Sequence, residues 1–104
     1  MKPPLRAAAL AVARAAAGPA AWAATHTVVV EGMRFQPAAL TVRRGDRITW
    51  VNRDVVPHTA TAAKGFDSGT IAPDASWSFA VKKTGQLDYV CVLHPMMKAR
   101  LTVN

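Results

Sequence analysis

The sequence contains a single cysteine, Cys91, among 104 residues, so no disulfide can form within the chain. A lone thiol either pairs two chains, reacts, or binds something. There are only three histidines, His26, His58 and His94, too few for a centre holding several metal ions. Acids are scarce as well: six against 13 basic residues, with none before Glu31. No uninterrupted apolar run approaches the ~20 residues that a membrane-spanning helix needs. No long stretch shows the 3.6-residue period of a helix, and no repeat is visible. These absences exclude a disulfide-framework domain, a spanning helix and a helical bundle.

The first quarter of the chain differs from the rest. Residues 1–23 carry Lys2, Arg6 and Arg14, no acid, an alanine-rich apolar stretch from Ala7 to Ala17, and the small-residue site Ala21-Trp22-Ala23. A positive start, an apolar middle and a small-residue end are the three parts of a secretory signal, although Arg14 interrupts the middle. The alternative is an alanine-rich arm. No twin-arginine pair is present at the start, which points to general export, with cleavage after Ala23 or one residue later. The expected organisation is a signal peptide over 1–23 and one domain over 24–104, placed in the periplasm.

Export changes the charge balance. The full chain is +7, but the leader takes three of the 13 basic residues and none of the six acids, leaving ten against six, or +4. Arg43, Arg44 and Arg47 form the densest basic group, around a turn at Gly45-Asp46. They read as solvated loop charges, or else as a docking surface for an acidic protein. No basic stripe with stacking aromatics or recognised motif marks a nucleic-acid site. A domain of about 80 residues buries only about two thirds of its unfolded surface. Without a disulfide, a bound metal would supply the missing cross-link.

The mature chain reads as short β-segments between turn signals. Segments are expected over Thr25–Val30, Ala38–Arg43, Arg47–Asn52, His58–Ala62, Ser76–Val81, Gln86–Cys91 and Ala99–Val103. Lys64–Asp74 reads as irregular and Val92–Lys98 as a loop. Alternation puts Ile48 with Trp50, Trp77 with Phe79 and Val81, and Leu87 with Tyr89 and Cys91 on shared faces. Six to eight such strands argue for an all-β sandwich or barrel.

The segment Cys91-Val92-Leu93-His94-Pro95-Met96-Met97 carries the chemistry. A thiolate, an imidazole and a thioether follow one another at i, i+3 and i+6, directly after a strand. Thiolate with imidazole suits zinc or copper; the thioether adds a soft, weak donor that favours copper. Two histidines, one cysteine and a weak axial methionine make the blue-copper set, and His58 is the natural second histidine. His26 reads as a solvent-exposed residue near the mature terminus rather than a ligand. Other readings stay open: a nucleophile and base in Cys91 and His94, a buried structural thiol, or a zinc site on the same residues.

The stretches Trp50-Val51-Asn52-Arg53-Asp54-Val55-Val56-Pro57-His58 and Asp88-Tyr89-Val90-Cys91-Val92-Leu93-His94-Pro95-Met96-Met97 closely resemble the cupredoxins. Within that family the short ligand loop is most similar to the amicyanin type, more distantly to plastocyanin and pseudoazurin. The resemblance covers about Thr25 to Asn104. It implies an antiparallel Greek-key β-sandwich or barrel and one mononuclear type 1 copper ion. By similarity His58, Cys91 and His94 are the strong ligands and Met97 the axial one, with Met96 as its rival. The family usually places asparagine directly after the first histidine, where it ties the two ligand loops together. Thr59 stands there instead, and its shorter reach predicts a looser tie.

The resemblance implies a monomeric electron carrier, not an enzyme, that exchanges electrons with a donor dehydrogenase, an acceptor cytochrome or both. His94 is the expected exposed edge, inside an apolar rim of Val56, Pro57, Pro95 and Met96. The alternative is a periplasmic copper carrier or resistance protein, which Met33, Met96 and Met97 keep open.

Overall fold

The computed structural model describes residues 23–104; the expected leader lies outside the described residues, apart from Ala23. Nine strands and no helix are found among the described residues. They are β1 Thr25–Val30, β2 Phe35–Gln36, β3 Ala39–Val42, β4 Arg47–Asn52, β5 Thr61–Ala62, β6 Phe66–Asp67, β7 Ser76–Ala80, β8 Gly85–Cys91 and β9 His94–Val103. One sheet has the order β2-β1-β4-β7 and the other β3-β9-β8-β5-β6. The all-β sandwich is as the sequence implies. Two pairings, β1 with β4 and β3 with β9, are parallel, so both sheets are mixed.

The period-2 pattern explains which residues form the core. In β4, Ile48, Trp50 and Asn52 point inward; in β9, Met97, Ala99, Leu101 and Val103 do. Trp50 is fully buried between the sheets, 5.1 Å from the ring of Phe66 and edge-on to Tyr89 at 5.7 Å. Such tilted and edge-to-face pairs add to the area that the rings bury. Burial pushes the Tyr89 phenol up to about 12.

Both sheets run between two poles. At one, β4 and β8 end and β9 begins. At the other lie the β3–β4 turn, the β7–β8 turn and the end of β9. The β3–β4 turn needs Gly45, whose φ of 99° disfavours a side chain. Its N–H donates to the Val81 carbonyl at 2.8 Å, lacing the two turns together.

Three expectations need correction. Lys64–Asp74 is not wholly irregular: Phe66–Asp67 pairs with Thr61–Ala62, and Ile71 bridges to His58. The segment expected as one strand over His58–Ala62 is that bridge followed by the two-residue β5. The loop expected over Val92–Lys98 shrinks to the turn Val92-Leu93, because Cys91 pairs directly with His94. Lys98 next pairs with Val90, so Pro95, Met96 and Met97 form a bulge with no counterparts on β8. A bulge tolerates Pro95, which has no N–H to give a ladder.

Candidate metal centre

The structure brings His58, Cys91 and His94 together at the pole where β8 ends. Cys91 closes β8 and His94 opens β9, across the two-residue turn. His58 arrives from the other direction, held by hydrogen bonds with Ile71: N–H to carbonyl at 3.2 Å and the reverse at 2.7 Å. The Cys91 sulfur lies 3.6 Å from His58 Nδ1 and 3.5 Å from His94 Nδ1. All three donor atoms fall within 4.8 Å of one another.

This spacing fits a metal. Bonds of about 2.0 Å to nitrogen and 2.3 Å to sulfur, opened at about 120°, separate those atoms by about 3.7 Å. His58 and Cys91 are fully buried and His94 is half-buried. A buried thiol facing two imidazole nitrogens, beside a buried thioether residue, suits a soft one-electron metal.

The orientation of His58 is fixed from behind. Its Nε2 meets Asp54 Oδ2 at 2.7 Å. With the proton on Nε2, directed at the carboxylate, Nδ1 keeps a free lone pair toward Cys91. Asp54 also accepts from the N–H groups of Gly32 at 2.7 Å and Met33 at 3.0 Å. Burial pushes its carboxyl up, but the Met33 and Gly32 donors and His58 outweigh this and hold it below the usual carboxylate value. Asn52, wholly buried, braces the same loop: its side-chain nitrogen donates to the Val56 and Ile71 carbonyls, each at 2.9 Å, and its oxygen accepts from Asp54 N–H at 2.9 Å.

Thr59 makes the tie between the ligand segments. Its N–H donates to the Cys91 sulfur at 3.3 Å, and its hydroxyl accepts from Val92 N–H at 2.9 Å. The same hydroxyl is 3.0 Å from that of Thr61, which donates to Asp67 Oδ1 at 3.1 Å. The looser tie expected from a short side chain is not what the structure shows. A relay of two threonines and an aspartate backs the contact.

The two methionines separate cleanly. Met97 is 3% exposed, in phase with Ala99 and Leu101, whereas Met96 is 84% exposed. His26 lies outside the cluster. It is not a free terminal side chain: its Nε2 is 2.8 Å from Asp46 Oδ2 and it is half-buried in β1. The apolar rim is broader than expected. Met33, Val55, Val92, Leu93 and Met96 are the exposed large hydrophobic residues among the described ones, and all belong to loops or strand ends at this pole. Val55 points outward, 92% exposed, while Val56 is half-buried and accepts from Asn52.

The family model of the cupredoxin-like domain matches residues 5–103. The chain belongs to the cupredoxin-like family. Among curated proteins it is 28% identical over 83 residues to amicyanin from Paracoccus versutus, covering 74% of this chain and 63% of that protein. It thus spans less than two thirds of that relative's length. Amicyanin from Paracoccus denitrificans is 28% identical over 93 residues, 82% of this chain and 71% of the relative. A solved mutant amicyanin in its Cu(I) form superposes with a TM-score of 0.73 at 27% identity, over 86% of this chain and 89% of that one. A copper-containing nitrite reductase from Thermus scotoductus shares the fold alone, at 24% identity, TM-score 0.72 and 22% of its length. With the donor set and its spacing, the cupredoxin-like fold fits a mononuclear type 1 copper site.

Sequence reasoning missed the supporting residues Asn52, Asp54, Thr61 and Asp67. Asn52 left one trace, since it continues the inward phase of Ile48 and Trp50. Asp54 sits in a loop, and Thr61 and Asp67 in two-residue strands too short for a period to place a side chain.

Proposed function

We propose that this protein is a periplasmic one-electron carrier whose copper is held by His58 Nδ1, Cys91 Sγ and His94 Nδ1, with Met97 as the weak axial donor. The convergence of those three donor atoms in a buried pocket carries the reading. Copper bound there supplies a Cu(II)/Cu(I) couple. The chain's part is to hold the donors still and keep water out, so that little rearranges when the charge changes. His58, Cys91, Trp50 and Tyr89 are all essentially inaccessible. His94, half-buried, is the edge that faces outside.

The exposed apolar pole around His94 is the docking surface for redox protein partners, of the small, transient kind. Its occupants by family likeness are a donor dehydrogenase, an acceptor cytochrome or both. Residues 1–23 are the export leader, and the mature protein acts as a monomer without catalysing a reaction of its own. Among the described residues no helix is long and apolar enough to cross a membrane.

The copper(II) form is expected to be intensely blue through thiolate-to-copper charge transfer, and Cys91→Ala to lose that colour. A colourless copper-loaded protein overturns the reading. One observation favours copper delivery instead, the exposed thioethers of Met33 and Met96 at the same pole. Titrating the loaded protein with a copper chelator during redox cycling separates the two: a shuttle keeps its metal through many cycles, whereas a delivery protein loses it rapidly.

A further inference from the structure

The pole opposite the copper site has a different character. The β3–β4 turn brings Arg43, Arg44 and Arg47 there, and the β7–β8 turn brings Lys82 and Lys83. Gly45 N–H to Val81 carbonyl at 2.8 Å, Val81 N–H to Asp46 carbonyl at 2.9 Å and the pairing of Arg47 with Ala80 hold the two turns side by side. Lys64 joins them across a cleft of about 290 Å³. All six cations are exposed, and among the described residues none forms an ion pair. Asp46 is the acidic side chain of these turns, and it is turned inward. Its oxygens take N–H bonds from Ala24 and Arg43 and the contact with His26. The other acids stand elsewhere: Glu31, Asp54 and Asp74 toward the copper pole, Asp67 on β6, and Asp88 paired with Arg100.

The cleft between these lysines has an apolar floor of Phe79, Val81, Leu87 and Val103. Ammonium groups around an apolar floor match a molecule that joins a phosphate to hydrocarbon within a few atoms. An acidic protein would answer the charges but not the floor. Strand β1 also begins at this pole, since Arg47 N–H donates to the Ala24 carbonyl at 2.9 Å. We propose that the basic pole docks on a bilayer of anionic phospholipid, holding the domain on the membrane surface with the His94 edge facing away. A patch of one sign on a domain whose acids lie elsewhere orients the molecule as well as attracting it. Each Lys or Arg brought near an anionic surface adds to the attraction, and the effect weakens with salt.

The test uses copper-loaded protein, purified as its host processes it, in sedimentation with vesicles. Phosphatidylglycerol-containing vesicles are expected to carry the protein down and pure phosphatidylcholine vesicles to leave it in solution, with binding lost as salt is raised. The double variant K82E/K83E is expected to bind about tenfold or more weakly. The variant R34E/K98E carries the same change of net charge on other surfaces and is expected to lose less than about threefold. Circular dichroism checks that both remain folded. Absence of binding to the anionic vesicles overturns the proposal, as does equal loss in both variants, which would mean that net charge alone acts. Capture of an acidic protein by the same pole while vesicles are ignored also overturns it and assigns the surface to a protein partner.

Discussion

The hydroxyl of Thr59 accepts from Val92 N–H and meets that of Thr61, which in turn donates to Asp67. Thr59→Val keeps the shape but removes that acceptor, and is expected to cost about 1 kcal/mol in chemical denaturation. Asp54 acts on the other side of the site, where Asp54→Ala frees the His58 ring from its anchor. Copper affinity is then expected to fall about 10- to 100-fold in competition with a chelator. The methionines give a paired expectation. Met97→Ala removes a buried side chain and should cost about 2–5 kcal/mol; Met96→Ala, on the surface, should change stability by less than about 0.5 kcal/mol. Met97→Gln should also lower the reduction potential while Met96→Gln leaves it unchanged, and the reverse result would reassign the axial donor. At this scale the cluster of His58, Cys91 and His94 was legible because thiolate and imidazole are rare and their spacing is telling. Asp54 and Asp67 were not, because an acid in an irregular segment reads as a solvated charge until the fold turns it toward a histidine or a threonine.

Strand β1 and the β3–β4 turn are joined through Asp46, which gathers Ala24 N–H, Arg43 N–H and His26. The Arg43 N–H, His26 and the Ala24 N–H lower its carboxyl from the ordinary 3.8 to about 2. Between those values the unfolded chain binds more protons than the folded one, so stability is present above 3.8 and is lost as the pH falls toward about 2. Thermal midpoints measured through this window should fall less steeply in Asp46→Asn than in the parent protein. The well-patterned strands, β1 and β4, follow the sequence residue for residue, because Val, Ile, Thr and Trp at alternate positions leave little choice. The short β2 and β6 were hidden, since two residues carry no period, and β5 is only the end of the longer strand expected over His58–Ala62. The start of β9 was hidden for another reason. Pro95 reads as a loop former, and only the pairing of Cys91 with His94 shows that the ladder resumes before it.

Across the whole molecule the surface divides into an apolar end at His94 and a cationic end at the opposite turns. Electron exchange between two copies of the protein should pass through the apolar ends. Val55→Lys places like charges on both partners there, and is expected to slow self-exchange by about tenfold or more, read from NMR line broadening in mixed-valence samples. The sandwich was legible at this scale, since turns and alternating strands leave few other architectures. The two-ended surface was not, because it arises from loops far apart in sequence: Met33, Val55 and Leu93 at one end, Arg43 and Lys82 at the other.

Strand β9 lies between β3 and β8, and every other strand of its sheet precedes it in the chain. It also supplies His94 and Met97. A ribosome that has reached Val92 has therefore delivered nearly all of the polypeptide but no closed second sheet and no complete His58–Cys91–His94 cluster. The order of synthesis keeps the chain open until its final stretch emerges. An open chain is the form that can be threaded through a translocation channel, so on the export route proposed above the fold and its metal site are both postponed to the far side.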